Sequence, residues 1–284
     1  MLRLARAGDE AGIEAFLARH AETSMFLRAN LRDFGLHGSD APRATRFWLA
    51  GDPTCAVFGL SNAGFVAIQA PAAEPALFDA FAAEIAGRDL LGIAAVPEAA
   101  TAMKRALRLD ETAFALSTRE PLYRLPLGAL RLPPGTTTLR PPREADRPLL
   151  FDWSRAYSSE LHMAPPDQID AEANTRTENA LTSGNLRLLE QDGTPVAMSA
   201  FNARLPDMVQ IGGVYTPPAL RGRGHARRAV ALHLAEARAE AVETAILFAS
   251  GPAACRAYEA IGFERIGAYM LARLKAPVTV GAPR

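Results

Sequence analysis

The chain has 284 residues, of which 49% are hydrophobic and 22% charged, a length that suits one large domain or two ordinary ones. Its 31 basic and 31 acidic residues balance, which argues against a nucleic-acid-binding or acidic-membrane-binding protein, because such proteins usually carry a basic excess. No apolar run approaches the roughly 18 residues of a membrane helix, no signal peptide is evident, and two cysteines are too few for a disulfide framework. We therefore expect a cytoplasmic globular protein, monomer or homodimer, with no metal site and no nucleic-acid or membrane partner.

The apolar periodicity of the first half predicts strands and helices in mixed order. Strands are predicted at residues 2–5, 46–50, 56–60, 64–69, 90–95 and 114–125. Helices are predicted at residues 9–20, 23–34, 75–87 and 97–108. The Pro/Gly stretch at 132–135 then interrupts the pattern, because neither a helix nor a central strand tolerates it.

The second half repeats this order. Strands are predicted at residues 137–140, 186–191, 195–203, 208–216, 245–249 and 263–274. Helices are predicted at residues 144–161, 170–182, 225–241 and 252–261. Local matches at an offset of roughly 140–150 residues, such as Leu2-Arg3 with Leu139-Arg140, favour an internal duplication. We expect an α+β protein with domains at 1–131 and 132–284, each a mixed, mostly antiparallel sheet of about six strands flanked by about four helices.

The most informative segment runs from residue 208 to 241. Gly212-Gly213 interrupts a strand, which indicates a bulge or a place where another group approaches the backbone. Two prolines end that strand, and the glycine-rich and arginine-rich turn 221–226 then opens directly onto an amphipathic helix. Glycines allow close approach of the backbone, and the first turn of a helix has unpaired N–H groups at the positive end of its dipole. The segment therefore predicts an anion-binding site.

Residues 214–226 resemble the acyl-CoA-binding motif of the GNAT superfamily of N-acetyltransferases. The motif Arg/Gln-x-x-Gly-x-Gly/Ala, set between a strand and a helix, fits at Arg221, Gly224 and Ala226. The order of elements in the second half also resembles the whole GNAT fold, and the first half resembles a degenerate copy. The resemblance thus implies a tandem GNAT arrangement.

The resemblance also implies how acetyl-CoA would be held. The strand 208–216 would separate from the strand 245–249, and the pantetheine arm would lie in the gap. Arg227 or Arg228 would reach the ribose phosphate, although a solvated helix face explains both residues equally well. The implied contacts to pantetheine come from Val214, Tyr215 and Thr216, and those to the pyrophosphate from Arg221, Gly222, Arg223, Gly224, His225 and Ala226.

Direct acyl transfer needs a group that protonates the leaving thiolate and a route for the proton of the attacking amine. The resemblance places the acid at Tyr258, before Gly262-Phe263, although Gly251 and Cys255 stand where the family usually has asparagines. We interpret Cys255 as a small buried residue rather than a nucleophile. The identity of the general base is left open between water and several side chains. Some of these side chains lie in or just after the helix that would line the acceptor site. The candidates are Glu160, His162, Asp207 and Gln210 for the base, and Tyr157, Glu160 and His162 for acceptor binding.

We therefore predict an acyltransferase that moves an acetyl group from acetyl-CoA directly to an amine, of a small molecule or a peptide, in a ternary complex. The alternatives are a tandem GNAT protein that uses another acyl group and a non-catalytic acyl-CoA sensor. The first half is expected to have lost the donor site, because the loop 70–75 has no glycine and no arginine. Alignment of the last helices also places Leu107 where the second half has Tyr258.

Overall fold

A computed structural model of the chain describes residues 1–36 and 39–281. These residues form two compact units. The first contains Met1–Glu120 together with the segment from Ala268 onward, and the second contains Pro121–Gly267. No helix in the described ranges is long and apolar enough to cross a membrane.

The first half of the sequence forms six strands and four α-helices within the described ranges. The strands are β1 (Leu2–Leu4), β2 (Thr45–Ala50), β3 (Ala56–Ser61), β4 (Phe65–Gln69), β5 (Asp89–Ala95) and β6 (Phe114–Pro126). The helices are α1 (Glu10–Ala18), α2 (Ala21–Phe34), α3 (Pro75–Glu84) and α4 (Pro97–Ala106). Both α3 and α4 begin with a proline, which suits the first helical turn because the N–H group it lacks has no acceptor there.

The second half forms the same series of elements. The strands are β7 (Thr138–Arg140), β8 (Leu186–Gln191), β9 (Thr194–Arg204), β10 (Met208–Tyr215), β11 (Thr244–Phe248) and β12 (Glu264–Thr279). The helices are α5 (Arg147–Glu160), α6 (Ile169–Thr182), α7 (His225–Ala239) and α8 (Pro252–Glu259). Each predicted strand and helix is present, with small shifts at the ends. The largest shift is in β12, which was expected to end at Leu274.

Each unit contains one sheet of six strands. The order is β1-β2-β3-β4-β5-β12 in the first unit and β7-β8-β9-β10-β11-β6 in the second. Within each unit, neighbouring strands are antiparallel except for β4–β5 and β10–β11, which are parallel. The expected mixed, mostly antiparallel sheets with their flanking helices are confirmed.

The two units differ from the predicted domains 1–131 and 132–284 because the last strands are exchanged. Strand β6 pairs with β11, with Tyr123 opposite Leu247, and β12 pairs with β5, with Ala272 opposite Ile93. Each half of the sequence therefore supplies the final strand of the other half's sheet. A repeat in the sequence identifies duplicated strands, but it does not say which partner each strand chooses.

Both faces of the first sheet are covered, which explains why its strands are continuous apolar runs rather than alternating ones. In β2, Phe47 and Leu49 pack with the helices α1 and α2, whereas Trp48 and Ala50 face α3 and α4. Phe81 of α3 lies against this second face, 5.3 Å from the Trp48 ring between centroids. The helices thus fix which side of the sheet each residue faces.

The second sheet is covered in the same way, and this packing positions the end of β10. Val209 and Ile211 of β10 pack against Val230 and Leu234 of α7. On the opposite face, Trp153 of α5 and Tyr215 at the end of β10 belong to one cluster. The carboxyl end of β10 consequently lies between the start of α7 and the C-terminal half of α5.

Candidate functional site

The strands β10 and β11 separate before β10 ends. Their parallel pairing runs from Met208 opposite Thr244 to Ile211 opposite Leu247, although β10 continues to Tyr215. On its other side, β10 is out of register with β9 between Gly212 and Tyr215. The glycine pair therefore does form a bulge, and the last residues of β10 have backbone groups that do not bond to β11.

The loop after β10 carries two glycines in the left-handed region, where residues with a Cβ are strained. Gly222 has φ +78° and Gly224, which precedes the first residue of α7, has φ +80°. A Cβ on Gly222 would meet nothing within 4 Å, and one on Gly224 would meet only Nη2 of Arg227 at 3.5 Å. The loop thus combines a backbone shape that requires glycine with open space above it.

The helix α7 starts at this loop without a side-chain cap. The hydrogen bonds of the helix begin at Arg228, whose backbone N–H donates to the carbonyl of Gly224 at 3.0 Å. The N–H groups before it, at the positive end of a 15-residue helix, point toward the open space. This arrangement can bind the oxygens of a phosphate or another anion.

A cavity of about 680 Å³ joins the loop, the end of β10, α5 and α8. It is lined by Tyr157, Glu160, Leu161, Val214, Tyr215, Thr216, Leu220, Arg221, Gly222, Arg223, Gly224, His225, Ala226, Arg227, Ser250, Ala253, Ala254, Arg256, Ala257 and Tyr258. The structure therefore brings together the residues expected to bind the donor, the expected acid and two of the three residues expected near the acceptor. A larger cavity, of about 810 Å³, lies in the first unit at the C-terminal ends of α3 and α4 and contains none of these groups.

Tyr258 lies in the helix α8 with only 8% of its surface exposed. No hydrogen-bond partner for its hydroxyl is found among the described residues. Its pKa is raised well above the ordinary value, first by burial and then by the charges of Tyr157 and Cys255. The phenol therefore stays protonated at neutral pH and can donate a proton or a hydrogen bond inside the cavity.

Arg221 and Glu160 form an ion pair across the cavity. Nη2 of Arg221 donates to both carboxylate oxygens of Glu160, at 2.9 and 2.8 Å, and Nε donates to the carbonyl of Thr216 at 2.9 Å. The sequence predicted Arg221 as a phosphate ligand and Glu160 as a base or acceptor ligand, and it did not predict that they bind each other. In this conformation, the anion site depends on the backbone N–H groups together with Arg223 and Arg227.

Three polar atoms at the loop are buried and have no hydrogen-bond partner in the part of the chain that the structure describes: Oγ1 of Thr216, Nε2 of His225 and Nε of Arg227. The pKa of His225 is lowered by burial and by the neighbouring charge of Arg223, so the imidazole is neutral at pH 7. Buried polar atoms are usually paired, and unpaired ones destabilise a protein unless a ligand or water satisfies them. Their concentration at one loop is consistent with a polar ligand there.

Several candidates from the sequence lie outside the cavity. His162 follows α5 and is exposed, with φ +50°. Gln210 is buried at 1% exposure on β10, and neither it nor Asp207 lines the cavity. Arg228 does not face a ribose phosphate, because its guanidinium donates to the carbonyls of Pro133 and Gly135 in the linker.

Arg256, Ser250 and Leu220 also line the cavity, from α8, from the turn after β11 and from the loop, and they were not predicted from the sequence. Residues two apart on a helix do not share a face, so the spacing of Arg256 from Tyr258 gave no signal for it. Cys255 is half-buried beside a hydrogen bond in which the hydroxyl of Tyr123 donates to Glu259 at 2.6 Å. The described residues contain no group of three or more His, Cys, Asp or Glu side chains suited to a metal ion.

The corresponding place in the first unit differs in detail. Strand β4 ends at Gln69 and α3 begins at Pro75, and the segment 70–74 between them contains no glycine and no arginine. The side chain of Gln69, at the end of β4, already accepts hydrogen bonds from Thr23 at 2.7 Å and Ser24 at 3.1 Å. The expected loss of a donor site in this half stays a prediction that these features support.

The residue that corresponds to Tyr258 in the first unit is Lys104 rather than Leu107. After α8, the N–H of Phe263 bonds to the carbonyl of Tyr258, and after α4 the N–H of Leu109 bonds to the carbonyl of Lys104 in the same way. In each case the residue before the N–H donor has a positive φ, Gly262 before Phe263 and Arg108 before Leu109. The prediction of Leu107 was wrong because it matched the Arg-Ala pairs of the two helices, Arg105-Ala106 and Arg256-Ala257, instead of the ends of the helices.

Residues 147–263 match the model of the acetyltransferase (GNAT) family. This segment contains the loop, α7 and α8, so the second unit is similar to GNAT acetyltransferases over these residues, and the expected resemblance is confirmed. The family match supports acyl transfer as the general class of reaction. No curated protein matches the chain significantly.

Solved structures show the same fold over the whole chain. A GCN5-related N-acetyltransferase from Kribbella flavida is 21% identical, with 91% of this chain and 95% of that chain covered and a TM-score of 0.59. A GCN5-related N-acetyltransferase from Sphaerobacter thermophilus is 14% identical, with coverage of 99% and 96% and a TM-score of 0.59. A tandem GNAT protein from the clavulanic acid biosynthesis pathway is 14% identical, with coverage of 100% and 99% and a TM-score of 0.57. The predicted tandem arrangement of two GNAT-like folds is thereby confirmed.

Proposed function

We propose that the protein transfers an acetyl group from acetyl-CoA directly to an amine while both substrates are bound. The observation that carries this proposal is the cavity of about 680 Å³, which places the glycine loop, the free end of β10 and Tyr258 around one space. Its volume lies within the range of roughly 300–1,000 Å³ that is usual for small-molecule sites.

The residues present fit the charged and the extended parts of acetyl-CoA. The open space above Gly222 and Gly224, together with the N–H groups at the start of α7, suits the pyrophosphate. Arg223 and Arg227 line the same space and add positive charge. The backbone of Val214 to Thr216 extends beyond the last pairing with β11, where it can bond to pantetheine amides as a neighbouring strand would.

When bound, acetyl-CoA would supply the activated thioester carbonyl that an amine attacks. Tyr258, which is protonated at neutral pH, would give its proton to the departing thiolate. Tyr258 is itself buried, so its hydroxyl is shielded from solvent, which strengthens a hydrogen bond that it forms to the thioester sulfur. These roles use the residue types in the cavity and need no covalent intermediate on the enzyme.

The proton of the attacking amine leaves to water in this proposal. Glu160 is engaged by Arg221 through both carboxylate oxygens, and His162 does not line the cavity. An amine that enters as the free base then needs no protein base at all. The rate should accordingly rise with the fraction of free amine, following the pKa of the acceptor and not that of a side chain.

The proposal is tested by incubating the full chain with acetyl-CoA and a panel of primary amines and reading the released thiol. We expect thiol release above the rate of acetyl-CoA hydrolysis with at least one class of amine, and acetylated amine in equal amount by mass spectrometry. Binding of acetyl-CoA without acetylation of any amine or peptide amine would instead indicate a sensor. Faster turnover with a longer acyl-CoA would identify another acyl donor.

A further inference from the structure

Arg176 of α6 lies at the bulge of β10. Its Nη2 is 3.4 Å from the position that a Cβ on Gly213 would occupy, and its Cζ is 4.8 Å from the centre of the Tyr157 ring. Tyr157 in turn lines the cavity. The guanidinium is therefore placed beside the bend of β10 and against Tyr157, a residue that lines the donor cavity.

This guanidinium has no strong partner. Among the described residues, its one ion pair is with Glu172 on the same helix, at 3.8 Å, and no hydrogen bond to its N–H groups is found. Its side chain is only 23% exposed. By contrast, Arg155 on the neighbouring helix α5 bonds to Asp170 at 2.7 Å. A shielded guanidinium with five donors and no acceptor at bonding distance is suited to an incoming anion.

The helix α5 and the strand β10 each carry a buried polar atom that has no hydrogen-bond partner among the described residues. These atoms are Oγ of Ser158, next to Tyr157 in sequence, and Oε1 of Gln210, before the bulge. Gly213 has φ +57°, so a side chain there would strain the backbone, and its Cβ would lie in contact with Nη2 of Arg176. The glycine thus leaves no side chain between the bend of β10 and the guanidinium.

We propose that Arg176 binds the carboxylate of the acceptor, so that the acceptor is an amine that also carries a carboxylate. The proposal rests on the proposed acetyl transfer, since it names the substrate class for that reaction. The donor cavity and Arg176 both adjoin Tyr157. A carboxylate held by the planar fork of Arg176 would orient the amine toward the free end of β10 and thereby position it for attack.

The test compares amino acids with their primary amides, which keep the amine and lose the negative charge. Two quantities are measured for each pair: kcat/KM with acetyl-CoA, and affinity for protein saturated with CoA, by calorimetry. The variants are Arg176→Gln, the charge-conserving Arg176→Lys, and Arg155→Gln as a matched control that removes one arginine from the adjacent helix. Thermal melting of each variant checks that the fold is kept.

We expect the wild-type protein and Arg155→Gln to prefer the carboxylate member of a pair by about 10- to 100-fold, the range of a charge-assisted hydrogen bond. Arg176→Gln should reduce this preference to within about threefold, mainly through KM, and Arg176→Lys should keep part of it. The proposal would be overturned by any of three results. The wild-type protein could use acids and amides equally, the preference could survive in Arg176→Gln, or neither member of a pair could bind. Failure of the proposed acetyl transfer would be distinguishable, because thiol release would be absent while binding of the carboxylates still depended on Arg176.

Discussion

Tyr258 combines a buried ring with a hydroxyl that has no hydrogen-bond partner in residues 1–36 and 39–281, and this combination determines what the residue can do. Burial raises its pKa, so the proton stays on the oxygen. The position of Tyr258 in the last helix was predicted from the sequence, because the Gly-Phe pair after it marks the helix end. The pairing of Arg221 with Glu160 was not predictable, because the two residues are far apart in sequence and only the fold brings them together.

Replacement of Tyr258 by phenylalanine removes the hydroxyl and keeps the ring. We expect kcat to fall by about 10²-fold, the usual effect of a lost general acid, with little change in the affinity for acetyl-CoA. Tyr269→Phe is the matched control, because it removes a hydroxyl that is equally buried in the other unit. Steady-state kinetics with an accepted amine and calorimetry with acetyl-CoA measure the two effects, and an unimpaired Tyr258→Phe enzyme would assign the proton to water.

His233 of α7 gives the second unit a pH-dependent stability. Its ring stacks on Phe201 with centroids 3.8 Å apart, Nδ1 lies 3.2 Å from Oγ of Ser199, and burial lowers its pKa to about 3. Below a pH of about 6.5 the unfolded chain binds a proton that the folded imidazole does not bind. Folding stability is therefore lost as the pH falls from about 6.5 toward 3, and this group contributes no pH dependence above that window.

We expect His233→Asn to flatten this dependence. Between about pH 6 and pH 4, the unfolding free energy of the wild-type protein should fall more steeply than that of the variant, by up to about 1.4 kcal/mol per pH unit. Denaturant unfolding at several pH values measures both slopes. The variant is less stable at pH 7 because the ring contact is lost, so the slopes are compared and not the absolute values. Parallel slopes would show that His233 becomes protonated in the folded state.

The glycine loop and the first turn of α7 together form one structural element, the anion-binding start of the helix. The sequence predicts this element well, because glycines in the left-handed region and an uncapped helix start are local properties. It predicts the strands and helices for the same reason, since apolar periodicity depends on near neighbours. The precise groups that line the cavity depend on how α5 and α8 pack, and these contacts between distant segments carry no local signal.

Replacement of Gly224 by glutamate should reduce the affinity for acetyl-CoA by at least about 100-fold, because a side chain and a negative charge would enter the phosphate space. Gly184→Glu is the matched control. Gly184 also has positive φ, +71°, with nothing within 4 Å of its Cβ position, and it lies between α6 and β8 away from the cavity. Both variants should lose roughly 1–2 kcal/mol of stability from backbone strain. Calorimetry should show the loss of binding in Gly224→Glu alone, and equal affinities in both variants would refute the role of the loop.

At the scale of the whole molecule, the exchanged strands β6 and β12 make the two halves of the sequence interdependent. Residues 132–284 alone would lack β6, and the edge of β11 with its buried Ala245 and Leu247 would be exposed. The duplication predicted two copies of the fold, but the exchange could not be predicted. The apolar pattern of β6 would be buried equally well whether this strand pairs with β11 or with β5, so the pattern does not indicate the partner.

The fragment 132–284 should therefore be insoluble or fail to bind acetyl-CoA when it is produced alone. Coexpression with the fragment 1–131 should restore a soluble complex, because each fragment supplies the strand that the other lacks. Size-exclusion chromatography and calorimetry measure the two outcomes. A soluble, monomeric 132–284 fragment with the affinity of the full chain would show that the exchanged strand is dispensable.

We expect one donor site per chain, in the second unit. Titration of the full chain with acetyl-CoA in a calorimeter measures the number of sites. We predict saturation at one equivalent, with no measurable binding in Gly224→Glu, because the segment that follows β4 in the first unit has no glycine before α3. Saturation at two equivalents, or one equivalent that persists in Gly224→Glu, would contradict the account.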